Sequence, residues 1–263
     1  TSVLCGRISY TFDCKSTSLV VDTACSSSLV GVHLAKEDCL LGYSKGALSA
    51  GASIIVTGNL HSVLGSAGML SQTGRCKTLD SSADGYSRAE SISTILLVAI
   101  STISFKFKDQ VCEGSILMGS SINQDGRSSS LTAPNGPSQQ KVIKSAIMNT
   151  TEESSRTIQI HGTGTALGDP LEIAALIYVF AKTKRVVIES IKTWLGHAEP
   201  AAGILGLITL QSNQSDEKAF GFCHLRNLNI HVAVASKSHA SLQKARQHSN
   251  LLECTNGGVS AFA

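Results

Sequence analysis

Alternation of short apolar strand-like runs with helix-period segments most constrains what this chain can fold into. "SLVVDTA" (18–24) reads as a buried strand, and "CSSSLVGVHLAKEDCLL" from residue 25 as a helix apolar nearly all the way round at first, which predicts deep burial. "ASIIVTG" (52–58) is the next expected strand, "GRCKTLDSSADGYSRAES" (74–91) a polar loop, and "ISTILLVAI" and "GSILMGSSI" further strands. "PNGPSQQKVIKSAIM" places Pro137 at a first helical position before an amphipathic helix with Val142, Ile143, Ala146 and Ile147 on one face. "TIQIHGTG" is a strand running into a turn, "DPLEIAALIYVFA" a helix, "RVVIESIK" a strand and "EPAAGILGLITL" a helix rich in small residues. Such alternation argues α/β layers. Residues 214–256 hold four of the eight histidines and show no clear period.

Composition narrows the function classes. The 263 residues are 42% hydrophobic and 16% charged, enough for a substantial core. A net charge of +3 with scattered Lys and Arg argues against a nucleic-acid partner. The longest apolar run, "ISTILLVAISTISF" (92–105), is broken by Ser and Thr and falls short of a membrane span. The eight cysteines include no C-x-x-C pair and no zinc-type spacing, so no metal site is expected; a reducing compartment, cytoplasm or organelle stroma, is the simpler reading. Two N-x-[ST] matches, at Asn149 and Asn213, do not outweigh the lack of a secretory signal. The opening "TSVLCGRISY" and the closing "VSAFA", inside a strand-like run, read as the ends of a fragment.

The chemistry centres on "VDTACSSSL". A cysteine at the first turn of a helix sits among unpaired backbone N–H groups at the positive end of the dipole, and both favour thiolate, making Cys25 a candidate nucleophile, with a small buried hydrophobe as the plainer reading of an isolated cysteine. His161 in "HGTGTALGDP", His197 in "KTWLGHAEPAAG" and Lys192 close strands that enter glycine-rich turns or helix starts, so they converge at one sheet edge. A helix N-terminus near His197 would keep it a neutral imidazole that donates an N–H. Glycines 162, 164 and 168 fit neither G-x-G-x-x-G nor a phosphate loop, which argues against nucleotide binding.

"VDTACSSSL", "GRCKTLDSSADGYSRAE", "NQDGRSSSLTAPNGPSQ", "HGTGTALGDPLE" and "KTWLGHAEPAAG", in that order, resemble the β-ketoacyl synthase (ketosynthase) domain of type I polyketide synthases and related fatty acid synthases. The resemblance implies a thiolase-like αβαβα sandwich, usually homodimeric, without the opening part of the first half and without the closing glycine-rich loop. Residues 1–100 would end the N-terminal half with the nucleophile, and 101–263 would form the C-terminal half with the His and Lys residues. It implies that Cys25 takes an acyl chain from the phosphopantetheine thiol of an acyl carrier protein. His161 and His197 would assist decarboxylation of a malonyl-type extender and bind the enolate oxygen. Lys192 would orient that pair with Glu172 as its acidic partner, and Thr163 and Thr165 would line the pantetheine arm. No bound cofactor is implied. Ser91 and Ser93 stand where the family has glycines, Glu189 where it has a small residue and Trp194 where asparagine is common. The closing loop would supply a gating phenylalanine and a second oxyanion-hole N–H. A thiolase would be expected to use a second cysteine and a cysteine peptidase a Cys/His/Asn set; a non-catalytic scaffold for dimerisation or carrier binding is the alternative of another class.

Overall fold

The computed structural model describes residues 3–99, 114–130, 133–147, 156–181, 183, 186–216, 221–237 and 257–259. Two sheets organise them. Strands β1 (Gly46–Ser53) and β2 (Ser91–Val98) pair antiparallel, from Gly46↔Val98 to Ser53↔Ser91. Strands β3 (Arg156–Gln159), β4 (Val186–Glu189) and β5 (Gly257–Val259) form a parallel sheet in the order β4-β3-β5. The described helices are α1 (Leu4–Thr11), α2 (Ser27–Leu40), α3 (Asn59–Ser66), α4 (Gly136–Ile147), α5 (Gly168–Val179), α6 (Lys192–Leu195), α7 (Ala202–Asp216) and α8 (Ile230–Lys237).

Helix α7 touches β1 and β2 on one side and β3 and β5 on the other, while α2 packs on β1, β2 and α7. Helix α7 therefore lies between the sheets, with α2 packed beside it on the first sheet. Outside the parallel sheet, Ile143 of α4, Ile173 and Leu176 of α5 and Val232 of α8 close on Ile158 and Ile188 to form the main apolar core. Burying each such side chain stabilises by roughly 1.5–3 kcal/mol. The layering is α/β and thiolase-like.

Close approach, not bulk, joins the first sheet to the helix layer. Ser49, Gly51, Ser53 and Ser93 face inward and are buried. A Cβ on Gly51 would stand 2.8 Å from the Ala201 Cα and 3.0 Å from the Ser28 Cβ. The outward face carries the large residues, with Leu48, Ile92 and Leu96 exposed. Period-two alternation is present, but its small side is the buried one.

Three expected strands differ from what forms. Residues 17–23 carry no strand, and Leu19 and Val20 are exposed, because a β-branched run becomes a strand only with a ladder partner and none is present among the described residues. The strand expected at 52–58 lies earlier, at Gly46–Ser53; it stops at Ser53 because β2 begins opposite it at Ser91, leaving Ile54 and Val56 exposed. Residues 114–122 form no strand either, and Ile116 and Met118 are exposed. Helix α2 is less buried than its pattern predicts, with only Ser27, Ser28 and Val32 fully covered. In 214–256, the stretch without a clear period, α8 forms over Ile230–Lys237; residues 238–256 lie outside the described residues.

A buried acid ties the 221–229 segment to the loop after Cys76. The Asp80 carboxylate accepts hydrogen bonds from the Ser82 N–H and hydroxyl (2.8 and 2.6 Å) and from the Arg226 and Asn227 N–H groups (2.7 and 2.8 Å). Burial pushes this carboxyl up, but the donors from Ser82, Asn227 and Arg226 together outweigh burial and hold it at about 2. Since its folded value lies below the unfolded one, its stabilisation is fully present above about pH 4 and is lost as pH falls through about 2. Asp80→Asn is expected to cost about 2 kcal/mol at neutral pH, the worth of charged hydrogen bonds. Urea unfolding of both proteins should show that difference closing at the acid end.

Candidate active site

The elbow that presents Cys25 is held by its own neighbours. Ala24 to Ser26 form a single 3₁₀ turn leading into α2, and Ala24 sits at φ +54°, a left-handed conformation unusual for a residue with a Cβ. The Ser27 hydroxyl donates to the Ala24 carbonyl (2.6 Å) and accepts from the Thr23 N–H (2.9 Å). The Ser26 hydroxyl donates to the Thr23 carbonyl (2.9 Å), and the Asp22 carboxylate accepts from the Ala24 N–H (3.2 Å). Ser28 reaches across to accept the Ile204 N–H of α7 at 3.3 Å. "DTACSSS" thus closes a strained corner and anchors it to the neighbouring helix.

Both histidines arrive from the carboxyl ends of parallel strands. β3 ends at Gln159 and delivers His161; β4 ends at Glu189 and delivers Lys192 and, after α6, His197. Because β5 lies on the other side of β3, these ends border the crevice where strand order reverses. The His197 Nε2 stands 2.9 Å from the Cys25 Sγ. The His161 and His197 rings meet edge to face, centroids 5.3 Å apart. Tyr86 packs on His197 in the same manner at 5.0 Å. Neither Nδ1 has a hydrogen-bond partner among the described residues. An orphaned buried N–H costs more than an orphaned lone pair, so both protons belong on Nε2.

Two carboxylates from the start of α5 fold back to hold the loop after β3. Glu172 accepts the N–H groups of His161 (2.7 Å) and Gly162 (2.9 Å). Asp169 accepts those of Leu79 (2.9 Å), Gly164 (3.2 Å) and Thr165 (3.4 Å); burial pushes it up to about 6 against these donors, so it is ionised at neutral pH. At Gly164, φ is +82° and a Cβ would stand 2.7 Å from the Lys77 backbone nitrogen, so glycine is required.

Burial dominates the electrostatics. It pushes the Cys25 thiol up, with Lys192 pulling down and Glu199 pushing up, so burial outweighs the lowering expected of a helix start. Burial and the Lys192 charge hold His197 at about 3 and His161 well below the usual histidine range. His197 is neutral as expected, but through desolvation and Lys192 rather than a helix end. Lys192 is itself pushed down by burial and supported by Glu172. Cys25, His161 and His197 bring three ligand-type atoms within 4.8 Å of one another. The buried lysine beside them opposes a second cation, and the trio suits charge handling around a sulfur.

Family models for the β-ketoacyl synthase N-terminal domain and C-terminal domain match residues 1–102 and 115–215. The chain belongs to the β-ketoacyl synthase family. It is 39% identical to the polyketide synthase GfsB of Streptomyces halstedii over 213 residues, 79% of this chain and 4% of that protein. It is 38% identical to the erythronolide synthase EryA2 of Saccharopolyspora erythraea over 211 residues, 79% of this chain and 6% of that protein. The ketosynthase from module 6 of the bacillaene synthase of Bacillus subtilis superposes with a TM-score of 0.80 at 29% identity, covering 97% of this chain and 44% of that one. The chain therefore spans less than half of that ketosynthase and under a tenth of these synthases.

Within this member of the family the positions that depart from the family pattern have local explanations. Ser91 and Ser93 hydrogen-bond each other at 3.2 Å on the inner face of β2. Glu189 is buried and accepts from the Gln159 Nε2 at 2.9 Å, while the Gln159 Oε1 accepts the Ile191 N–H. Trp194 points outward, its indole N–H donating to the Gly221 carbonyl at 2.7 Å. Thr163 is buried and Thr165 half-buried beside the loop that carries His161. The sequence patterns do not announce Tyr86, Arg88 or Glu199; Asp169 carries a readable signal, as the acid three residues before Glu172 on one helix face.

Proposed function

We propose that this ketosynthase catalyses decarboxylative Claisen condensation, an acyl transfer, in polyketide or fatty acid assembly. The observation that carries the reading is the Cys25 Sγ held 2.9 Å from a neutral His197 with a second neutral histidine at its edge. In the first half-reaction the Cys25 sulfur attacks the thioester carbon of an acyl group carried on the phosphopantetheine of an acyl carrier protein. The carrier thiolate leaves and takes the thiol proton. In the second, a malonyl-type thioester loses carbon dioxide, and the electron pair of the broken carbon–carbon bond passes into an enolate. Its oxygen is met by the His161 and His197 N–H groups, neutral donors preorganised in a dry site. The enolate carbon then attacks the acyl carbon, the Cys25 carbon–sulfur bond breaks, and the sulfur regains a proton. Burial, with the Lys192 charge adding to it, keeps both imidazoles unprotonated and thus unable to be spent as acids. Thr163 and Thr165 line the pantetheine arm.

Residues 1–100 supply the nucleophile half and 101–263 the histidine half. The partners are an acyl carrier protein, acyl and malonyl-type thioesters and a second copy of the chain. Cys25, Cys39 and Cys76 are free thiols, which fits a reducing cytoplasm or organelle stroma. No helix among the described residues is long and apolar enough to cross a membrane.

The test is product formation from an acyl donor and a malonyl-loaded carrier protein, read by mass spectrometry. A β-ketoacyl carrier with release of carbon dioxide, both lost in Cys25→Ala, is the expected result. A folded chain that binds the carrier and forms no product would instead mark it as a scaffold.

A further inference from the structure

Arg88 and Glu199 form a pair that the condensation chemistry does not use. The Arg88 Nε and Nη2 donate to the two Glu199 carboxylate oxygens at 2.8 and 3.0 Å, with side chains 5% and 14% exposed. Such a two-pronged pair fixes geometry as well as charge. It joins the two segments that meet at His197: the His197 N–H donates to the Ser87 carbonyl at 2.7 Å, and the Ala89 N–H donates to the His197 carbonyl at 2.9 Å. Glu199 sits at φ +43°, a strained conformation for a residue with a side chain, which persists only where its surroundings impose it. The Glu199 charge pushes the Cys25 thiol up and the Lys192 charge pulls it down, while the His197 Nε2 stands 2.9 Å from the sulfur. His161, Cys76 and Tyr86 are further titratable groups around this pocket among the described residues.

We propose that Arg88 and Glu199 are positioning residues: clamped together, they pin the 197–199 turn against 87–89, set the His197 Nε2 beside Cys25, and offset part of the negative charge that Glu199 brings to the pocket. The proposal rests on the reading of Cys25 as the nucleophile. With the pair broken on one side, the charges left behind have opposite signs. Arg88→Gln leaves a bare carboxylate and Glu199→Gln a bare guanidinium, whereas the double variant leaves neither.

The experiment follows alkylation of Cys25 by iodoacetamide in the full chain from about pH 6 to about pH 10, quantified on the Cys25-containing peptide so that other cysteines do not contribute. The midpoint of the rate profile should rise by about one pH unit in Arg88→Gln, fall by a similar amount in Glu199→Gln, and return to the wild-type value in the double variant. Arg88→Lys, which keeps the charge but not the fork, should keep the midpoint and lower acyl loading several-fold, about 3- to 10-fold. If Arg88→Gln loses its thermal transition, Glu199→Gln decides alone: a midpoint at or above wild type overturns the proposal. So do midpoints that move in the same direction in both single variants, as a merely structural role would give. Alkylation reports the thiol whether or not acyl groups transfer. Unmoved midpoints with normal acyl loading would therefore sink the pair, whereas opposed midpoints in a chain that never loads acyl groups would sink the nucleophile reading and uphold the pair.

Discussion

His197→Ala is expected to lower the condensation rate by about 10²–10³-fold, the usual consequence of deleting one preorganised donor to a developing oxyanion. His197 is fully buried, and its Nε2 faces the Cys25 Sγ, so no other described side chain replaces that donor there. His197→Gln, whose amide presents an N–H at a similar reach, should recover part of the loss. The pH dependence separates this account from one in which His197 acts as an acid. Held at about 3, it stays neutral across the working range, so the condensation rate should show no limb near the ordinary histidine value. Stability carries the complementary signature. The folded value lies below the unfolded one of 6.5, so the unfolded chain binds the extra proton between about pH 6.5 and about 3, and stability falls as pH drops through that window. The slope from this one group is at most about 1.4 kcal/mol per pH unit. Denaturant unfolding between pH 7 and pH 5 should be less acid-sensitive in His197→Gln than in the wild type (about one proton fewer taken up).

Glu172→Ala should be the most destabilising single change at the site, by about 3–5 kcal/mol, because it strips the countercharge from a buried lysine. It also orphans the His161 and Gly162 N–H groups that fix the loop after β3. Glu172→Gln keeps a hydrogen-bond acceptor and loses only the charge, so it should fall between the wild type and Ala. Chemical unfolding measures both. The double variant Glu172→Ala with Lys192→Met should recover much of the stability, since a buried ion pair costs most when one member is removed. It should not recover condensation in full, because the site would lose the buried cation that adds to burial in disfavouring protonated imidazoles.

What the sequence made legible follows from which signals are local. The corner at Cys25, the two histidines and Lys192 lie at strand ends and helix starts, where glycines, serines and prolines mark the turns, and the structure brings all four together. Glu172 was reached only through the resemblance, yet its position five residues into α5 is what lets its carboxylate reach back to the His161 loop. Strand boundaries were less legible, because a ladder is settled by its partner: β1 ends where β2 starts, not where its apolar run ends. Arg88 and Glu199 lie 111 residues apart, and no local pattern announces such a pair. The environment of Cys25 is illegible in the sequence for a related reason. The dipole of a helix start is visible in the sequence, whereas desolvation by packing residues from distant segments is not, and desolvation dominates.

The central claim is that Cys25 is a working nucleophile organised by this fold, and intact-protein mass after incubation with a short acyl-pantetheine thioester tests it most directly. The account predicts a gain of one acyl group in the wild type, absent in Cys25→Ala and slowed in His197→Ala. A folded wild-type chain that gains no mass, or a gain that persists in Cys25→Ala, would contradict it.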